Sequence, residues 1–286
     1  MNKRIVTFGE IMLRLSKPGF RRLQQGRAFE GNFGGSEANV AVSLACLGED
    51  VEYVSRVPCS AMGDAALMHL REYGVDVSHV VRGGERLGAY YFESAAAMRD
   101  SLVVYDRKDS AFYSLKQGMI DWGKTLGGAA LFHCSGITCA ISRDAMLTTM
   151  DAVREARERG LAVSCDINYR KNLWGYGLEA RDVLFQLATY SDIIFGDQNE
   201  WEVATGLRHI PFTATSAGYE IDRGAYEAYF ERASRLFPRC RKMVMAVRNQ
   251  LASSHHLLSG LLYDTREGRL YAARVYDITP IIDPMG

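Results

Sequence analysis

The sequence has no excess charge of either sign: its 286 residues carry 34 Lys and Arg against 34 Asp and Glu. Proteins that ride phosphate backbones or anionic membranes carry a basic excess, so no nucleic acid and no membrane partner is expected. A small charged ligand, held by one local basic patch, is still compatible with neutrality. No apolar run approaches the ~20 residues needed to cross a bilayer. Residues 1–15 start basic, but Glu10 and Arg14 interrupt the apolar stretch, which reads as a first strand and not as a signal peptide. None of the six cysteines forms C-x-x-C and most sit in apolar runs. A disulfide framework and a zinc site are therefore not expected; reduced thiols in a cytoplasmic protein are. No G-x-G-x-x-G follows a strand, which leaves a dinucleotide site without support. Internal repeats and low-complexity linkers are also missing.

What is present is ordinary globular material, 48% apolar and 24% charged. The length suits one large domain or two modest ones. From the second third onward, strand-like and helix-like runs alternate. Strands are expected over 129–135, 161–167, 192–195 and 242–247, and helices over 142–159, 178–190, 199–205 and 223–237. Ser142 is the expected N-cap of its helix, arginines load that helix's last turns, and Gly160 stops it. Strand–helix–strand succession predicts parallel pairing through right-handed crossovers. The expected fold is α/β, a doubly wound, mostly parallel sheet with helices on both faces. Ligands in such sheets bind beyond the carboxyl ends of the strands.

The first third differs. Residues 36–47 form a nearly all-apolar helix, expected to be buried, and 62–73 form another. Two stretches, 12–33 and 88–105, alternate with a period of two. They read as antiparallel strands outside the main sheet, a small β lid inserted in two pieces. An open sheet of that kind must cover something or pair with another copy.

Several local patterns could carry chemistry. Gly118 to Thr125 fits G-x-x-x-x-G-K-[ST], but no buried strand precedes it and no helix is expected to follow, so it is set aside as a phosphate loop. Gly34-Gly35 opens the helix at 36, with Asn39 as a polar side chain on an apolar helix. Paired glycines permit close backbone approach to a ligand, and they also suit a tight turn. Asp166-x-Asn168-x-Arg170 ends a strand, and alternation puts the three side chains on one side. Such a set needs either a ligand or an internal Asp–Arg pair that staples the loop. Asn199-x-x-Glu202 opens a helix and could hold Mg²⁺ through water, or could simply cap it. Tyr105-x-Arg107 places a ring and a guanidinium on the second lid segment.

Taken in order, the Gly-Gly-x-x-x-Asn, Asp-x-Asn-x-Arg and Asn-x-x-Glu segments resemble the ribokinase (PfkB-type) family of carbohydrate kinases. The opening Gly9-Glu10-Ile-Met-Leu-Arg, the run from Arg82 to Tyr90, and the run from Cys165 to Trp174 resemble its sugar-acid subgroup. The resemblance implies a single ribokinase-like α/β domain over 1–286, with the lid inserted at about 12–33 and 88–113. It implies ATP-dependent phosphorylation of the terminal hydroxyl of a 2-keto-3-deoxy sugar acid, 2-keto-3-deoxygluconate. Gly34, Gly35, Asn39, Tyr90, Tyr105, Arg107 and Arg170 would form the sugar-acid site. Asn168, Arg170, Asn199, Arg248 and Asp283 would approach ATP, while Asn199 and Glu202 organise Mg²⁺ through water. Arg170 would also meet phosphoryl charge. The lid would pair two subunits into a homodimer.

The family's catalytic signature is Gly-x-Gly-Asp at a helix N-terminus. By resemblance Asp283 leads into it and Gly286 is its first glycine, the start of an anion hole. The second glycine and the Asp that serves as base would lie beyond Gly286, as would the closing part of the fold. The expectation is an incomplete copy of a sugar-acid kinase. The alternatives are a family kinase acting on a neutral sugar (fructose, ribose) or a nucleoside, and a non-catalytic sugar-acid binder. Neutral sugars have no need of two arginines at the acceptor, and Arg107 with Arg170 favours an acid.

Overall fold

Alternation within the strands decides which helices cover which face of the sheet. The computed structural model describes residues 4–95, 99–210, 220–252 and 254–281. The first third runs β1 (Arg4–Phe8), β2 (Met12–Ser16), β3 (Glu30–Gly34), α1 (Ser36–Cys46), β4 (Val51–Val54), β5 (Arg56–Val57), α2 (Ala61–Glu72), β6 (Val81–Arg82), β7 (Gly88–Glu93) and β8 (Leu102–Asp106). The middle runs α3 (Trp122–Thr125), β9 (Ala129–Ser135), α4 (Gly136–Ile141), α5 (Arg143–Glu158), β10 (Ala162–Asp166), α6 (Ala180–Thr189), β11 (Ile193–Asp197) and α7 (Gln198–Thr205). Then come α8 (Arg223–Leu236), β12 (Lys242–Ala252), β13 (His255–Asp264), β14 (Arg269–Ala272) and β15 (Tyr276–Ile278).

The main sheet has the order β14-β13-β12-β11-β10-β9-β1-β4, with β15 on β13. Every pair from β4 to β12 is parallel, and β13 and β14 close that edge antiparallel. In β4, Val51 and Tyr53 pack with Ala38 and Ala41 of α1 and Leu67 and Leu70 of α2. Val54, on the opposite face, joins the cluster that holds Met146, Met150 and Val153 of α5. Helices on both faces make this the doubly wound α/β fold. At the other end, Tyr226, Tyr229 and Phe230 of α8 pack with Trp201 and with Met243 and Met245 of β12. The start of α5 follows its chemistry: the Ser142 hydroxyl accepts a hydrogen bond from the Ala145 amide at 3.1 Å. Among the described residues no helix is long and apolar enough to cross a membrane.

Three local expectations need correction. The lid is a four-stranded sheet, β3-β2-β7-β8, but β2 and β7 run parallel, because the 53 residues between β3 and β7, which hold α1, β4 and α2, return the chain to the same end. Helix α1 is only half buried: Glu37, Ala38 and Ala41 face inward and Asn39 is exposed. Its small side chains give no continuous apolar stripe to bury. The 118–125 pattern does contain helix, the single turn α3, capped by Asp121. Its Trp122 is buried against Phe8 and Phe132, while Lys124 is exposed at the amino end of β9, away from the strands' carboxyl edge.

Candidate active site

Six parallel strands leave their carboxyl ends along one edge, and a cavity of about 990 Å³ opens there. Its walls combine Ser36, Asn39 and Val40 of α1 with the loop after β10, the β11–α7 junction, and β12, β13 and the segment after β14. Of the residues singled out from sequence, Asn39, Asp166, Asn168, Arg170, Asn199 and Arg248 line it. Gly34, Gly35, Tyr90, Tyr105 and Arg107 lie outside this lining, and contacts between side chains link Arg107, Tyr105 and Tyr90 to Gly34 and Asn39 at its edge. A Cβ added at Gly34 would come within 3.4 Å of Asn39 Oδ1 and 3.8 Å of the Tyr90 hydroxyl. The Tyr90 and Tyr105 rings are 6.0 Å apart, and the Arg107 guanidinium lies 5.4 Å from the Tyr105 ring centroid. Asp283 and Gly286 lie outside the described residues.

Asp166, Asn168 and Arg170 converge by a turn instead of by strand alternation. Asn168 sits at φ 39°, in the left-handed region, and its amide donates to Asp166 Oδ1 at 3.1 Å. Its side-chain amide donates to the Ser36 hydroxyl at 2.7 Å, tying the β10 loop to the start of α1. Arg170 is exposed in the cavity wall and makes no ion pair among the described residues, so the loop-stapling Asp–Arg pair is not formed.

The metal-side expectation shifts by two residues. Glu202 does not line the cavity; it pairs with His209 Nδ1 at 2.5 Å. The residues that face the cavity are Asp197 and Glu200, joined in a capping box at the start of α7. Asp197 Oδ1 accepts from the Glu200 amide at 2.9 Å, and Glu200 Oε2 accepts from the Asp197 amide at 2.8 Å. The D-x-x-E capping signature was available in the sequence as the signal for this pair.

Burial dominates the electrostatics. It pushes the Glu200 carboxyl up to about 7, with the nearby Asp197 and Asp166 charges adding to the rise. Burial likewise pushes Asp166 up to about 6, against the hydrogen bond from the Asn168 amide. Among the described residues no group of three or more His, Cys, Asp or Glu is arranged to hold a metal directly. The donor set does fit a hydrated Mg²⁺, because carboxylates held above their usual range by burial and mutual repulsion gain from a divalent cation bridged by water.

Two more acids emerge from the structure. Glu37 is fully buried, and burial holds its carboxyl above the usual range. Its Oε1 accepts from the Ser135 and Thr138 hydroxyls, the latter at 2.7 Å, which locks α1 to the carboxyl end of β9. Glu10, just past β1, is buried and pairs with Arg107: Arg107 Nε donates to Glu10 Oε2 at 2.6 Å. The Ser110 hydroxyl donates to Glu10 Oε1 at 2.7 Å. Arg107 is therefore a compensated cation, whereas Arg170 and Arg248 stand exposed in the cavity wall.

Comparison with known proteins places this geometry in context. The family described as pfkB family carbohydrate kinase matches residues 2–221. The 2-dehydro-3-deoxygalactonokinase of Haloferax volcanii is 34% identical over 200 residues, 70% of this chain and 62% of that protein. The 2-dehydro-3-deoxygluconokinase of Bacillus subtilis is 31% identical over 204 residues, again 70% and 62%. The matched stretch thus spans about three fifths of these relatives' lengths. The crystal structure of a 2-dehydro-3-deoxygluconokinase from Thermotoga maritima superposes with a TM-score of 0.88 at 36% identity, covering 96% of this chain and 81% of that one.

The raised Glu200 carboxyl makes stability depend on pH. Between its ordinary 4.5 and about 7 the native state binds more protons than the unfolded chain, so stability falls as pH rises through that window. Glu200→Gln keeps the capping acceptor and removes the titration. From about pH 5 to about pH 8 without metal, its melting temperature should fall less than the unsubstituted protein's, by on the order of 5 °C. Superimposable melting curves across that range would contradict the assigned burial of the carboxylate.

Proposed function

The chain belongs to the pfkB family of carbohydrate kinases, and on that premise we propose that it transfers the γ-phosphoryl group of ATP to the terminal hydroxyl of a 2-keto-3-deoxy sugar acid. The observation that carries the reading is the convergence of Arg170 and Asn168 on a cavity whose other walls are the Arg248 side of β12 and the Asp197–Glu200 junction. The similarity to relatives named for 2-dehydro-3-deoxy sugar acids supports the substrate class. ATP would occupy the part of the cavity between Asn168, Asn199 and Arg248, and the sugar acid the extension from Asn39 and Gly34 to Tyr90, Tyr105 and Arg107.

Phosphoryl transfer asks a protein mainly for positioning and charge stabilisation. Arg170, exposed and without an ion pair among the described residues where the two parts meet, would meet the charge on the transferring group. Asn168, fixed by its bond to Ser36, would orient the groups beside it. Mg²⁺ would be held through water by Asp197 and Glu200, and when bound it offsets phosphate charge. Glu202, turned to His209, has no part in this. Arg107 would donate to the sugar-acid carboxylate. The free state of all six cysteines fits the cytoplasm as its compartment.

We also read the lid as the homodimer interface. It presents Phe29, Leu102 and Val104 as exposed large apolar side chains, and β3 and β8 are open edges. Sedimentation at micromolar concentration should give twice the mass of the chain, and a Val104→Glu variant should sediment as a monomer; a monomer before substitution refutes this interface.

The activity is tested by coupling ADP release to a chromogenic readout, with 2-keto-3-deoxygluconate, 2-keto-3-deoxygalactonate, fructose and ribose offered in turn with Mg-ATP. Turnover should require a sugar acid, and Arg170→Ala should lower kcat by about a hundredfold or more. Preference for a neutral sugar would sink the acid assignment.

A further inference from the structure

Glu10, a charge that interrupts the first apolar stretch of the sequence, sits at the root of the lid. Its main chain and its side chain are enclosed by two glycines. A Cβ on Gly35 would come within 2.0 Å of the Glu10 carbonyl oxygen, and a Cβ on Gly88 within 2.4 Å of Glu10 Oε1. Neither neighbour could be any other residue without displacing Glu10. The glycines leave the space that Glu10 fills, and its bonds from Arg107 and Ser110 hold the carboxylate there. It spans the junction between the main sheet, where β1 ends, and the lid, where β7 begins and β8 ends.

What it holds there is one edge of a guanidinium. Arg107 is only 7% exposed and is bound through Nε to Glu10 Oε2. Its Nη1 is buried and has no hydrogen-bond partner among the described residues. A buried, charged donor without an acceptor is costly, and sites that tolerate one are commonly completed by a ligand. The same guanidinium lies beside Tyr105, which leads through Tyr90 and Gly34 to Asn39 at the cavity.

Resting on the sugar-acid reading above, we infer that Glu10 is a positioning residue for acceptor recognition. It occupies Nε, and so fixes the plane of the Arg107 guanidinium and leaves the Nη edge as the donor to the sugar-acid carboxylate. It also cancels the cation while the site is empty, so the lid closes over a neutral pair instead of a bare buried charge. Recognition of the acid then depends on the reach of residue 10 more than on its charge.

Titration calorimetry with 2-keto-3-deoxygluconate and, separately, with Mg-ATP tests this on the whole chain. Glu10→Gln keeps the reach and an acceptor oxygen, and its Kd for the sugar acid should stay within about threefold of the unsubstituted value or tighten. Glu10→Asp keeps the charge but retracts it by one methylene, and should weaken sugar-acid binding by about tenfold. The Kd for Mg-ATP should not move in either. Adding Arg107→Ala to Glu10→Asp should give the Kd of Arg107→Ala alone, because the two residues act as a unit. Both variants retain a hydrogen-bond acceptor for Arg107, and Glu10→Asp retains the counter-charge as well, so the outcome does not hang on a variant that leaves that charge buried alone. Unchanged sugar-acid binding in Glu10→Asp, equal losses for the sugar acid and Mg-ATP, or additive losses in the double variant would overturn the inference alone. Failure of the unsubstituted protein to bind the sugar acid would overturn the reading beneath it as well.

Discussion

Parallel pairing is the constraint on which the molecule depends. Strands β4, β1, β9, β10, β11 and β12 all point the same way, so the chain must cross back between successive members of the set, and each strand delivers its next residues to one edge. The functional side chains stand where those strands stop. Glu10 lies two residues past β1, Asp166 ends β10, and Asp197 ends β11. Arg248 lies just past Ala246, the last residue of β12 paired to β11. Ser135 ends β9 and serves Glu37. A cleft of convergent polar groups follows from topology before any one residue is considered.

Placing so many charges at one edge requires that each be answered. Arg107 is answered by Glu10, and Glu37 by two hydroxyls and by a carboxyl held above its ordinary range through burial. Asp166, Asp197 and Glu200 face one another across the cavity lining, and burial with mutual repulsion raises Glu200 to about 7 and Asp166 to about 6. Arg170 and Arg248 are exposed in the same cavity. The interior is thus divided into compensated pairs, which hold the lid and α1 in place, and uncompensated groups of both signs, which suit a phosphate chain with its cation.

Much of this was legible in the sequence, and the failures have physical causes. The alternation of strands and capped helices from 129 onward determined the doubly wound sheet, because each apolar run was long enough to be buried on both faces. Asp166, Asn168 and Arg170 were found, though by the wrong geometry: the left-handed turn at Asn168 is not readable from alternation. The spacing that points to Asn199 and Glu202 recurs two residues earlier in Asp197 and Glu200, the pair that faces the cavity. A two-residue slip turns a helical side chain by about 200°, which carries Glu202 to the far side and into contact with His209. Glu10 and Glu37 were missed because burial of an acid depends on partners distant in sequence, Arg107 and Ser110 for one, Ser135 and Thr138 for the other.

The central claim is that one cleft at the carboxyl edge takes ATP on its β12 side and the sugar acid under the lid, with Arg170 between. Hydrogen–deuterium exchange with each ligand alone measures this most directly. Mg-ATP should protect backbone amides over 166–170 and 196–200, and 2-keto-3-deoxygluconate those over 34–39, 88–93 and 105–107. Protection by Mg-ATP over 118–125, or by the sugar acid at the amino ends of the strands, would contradict it.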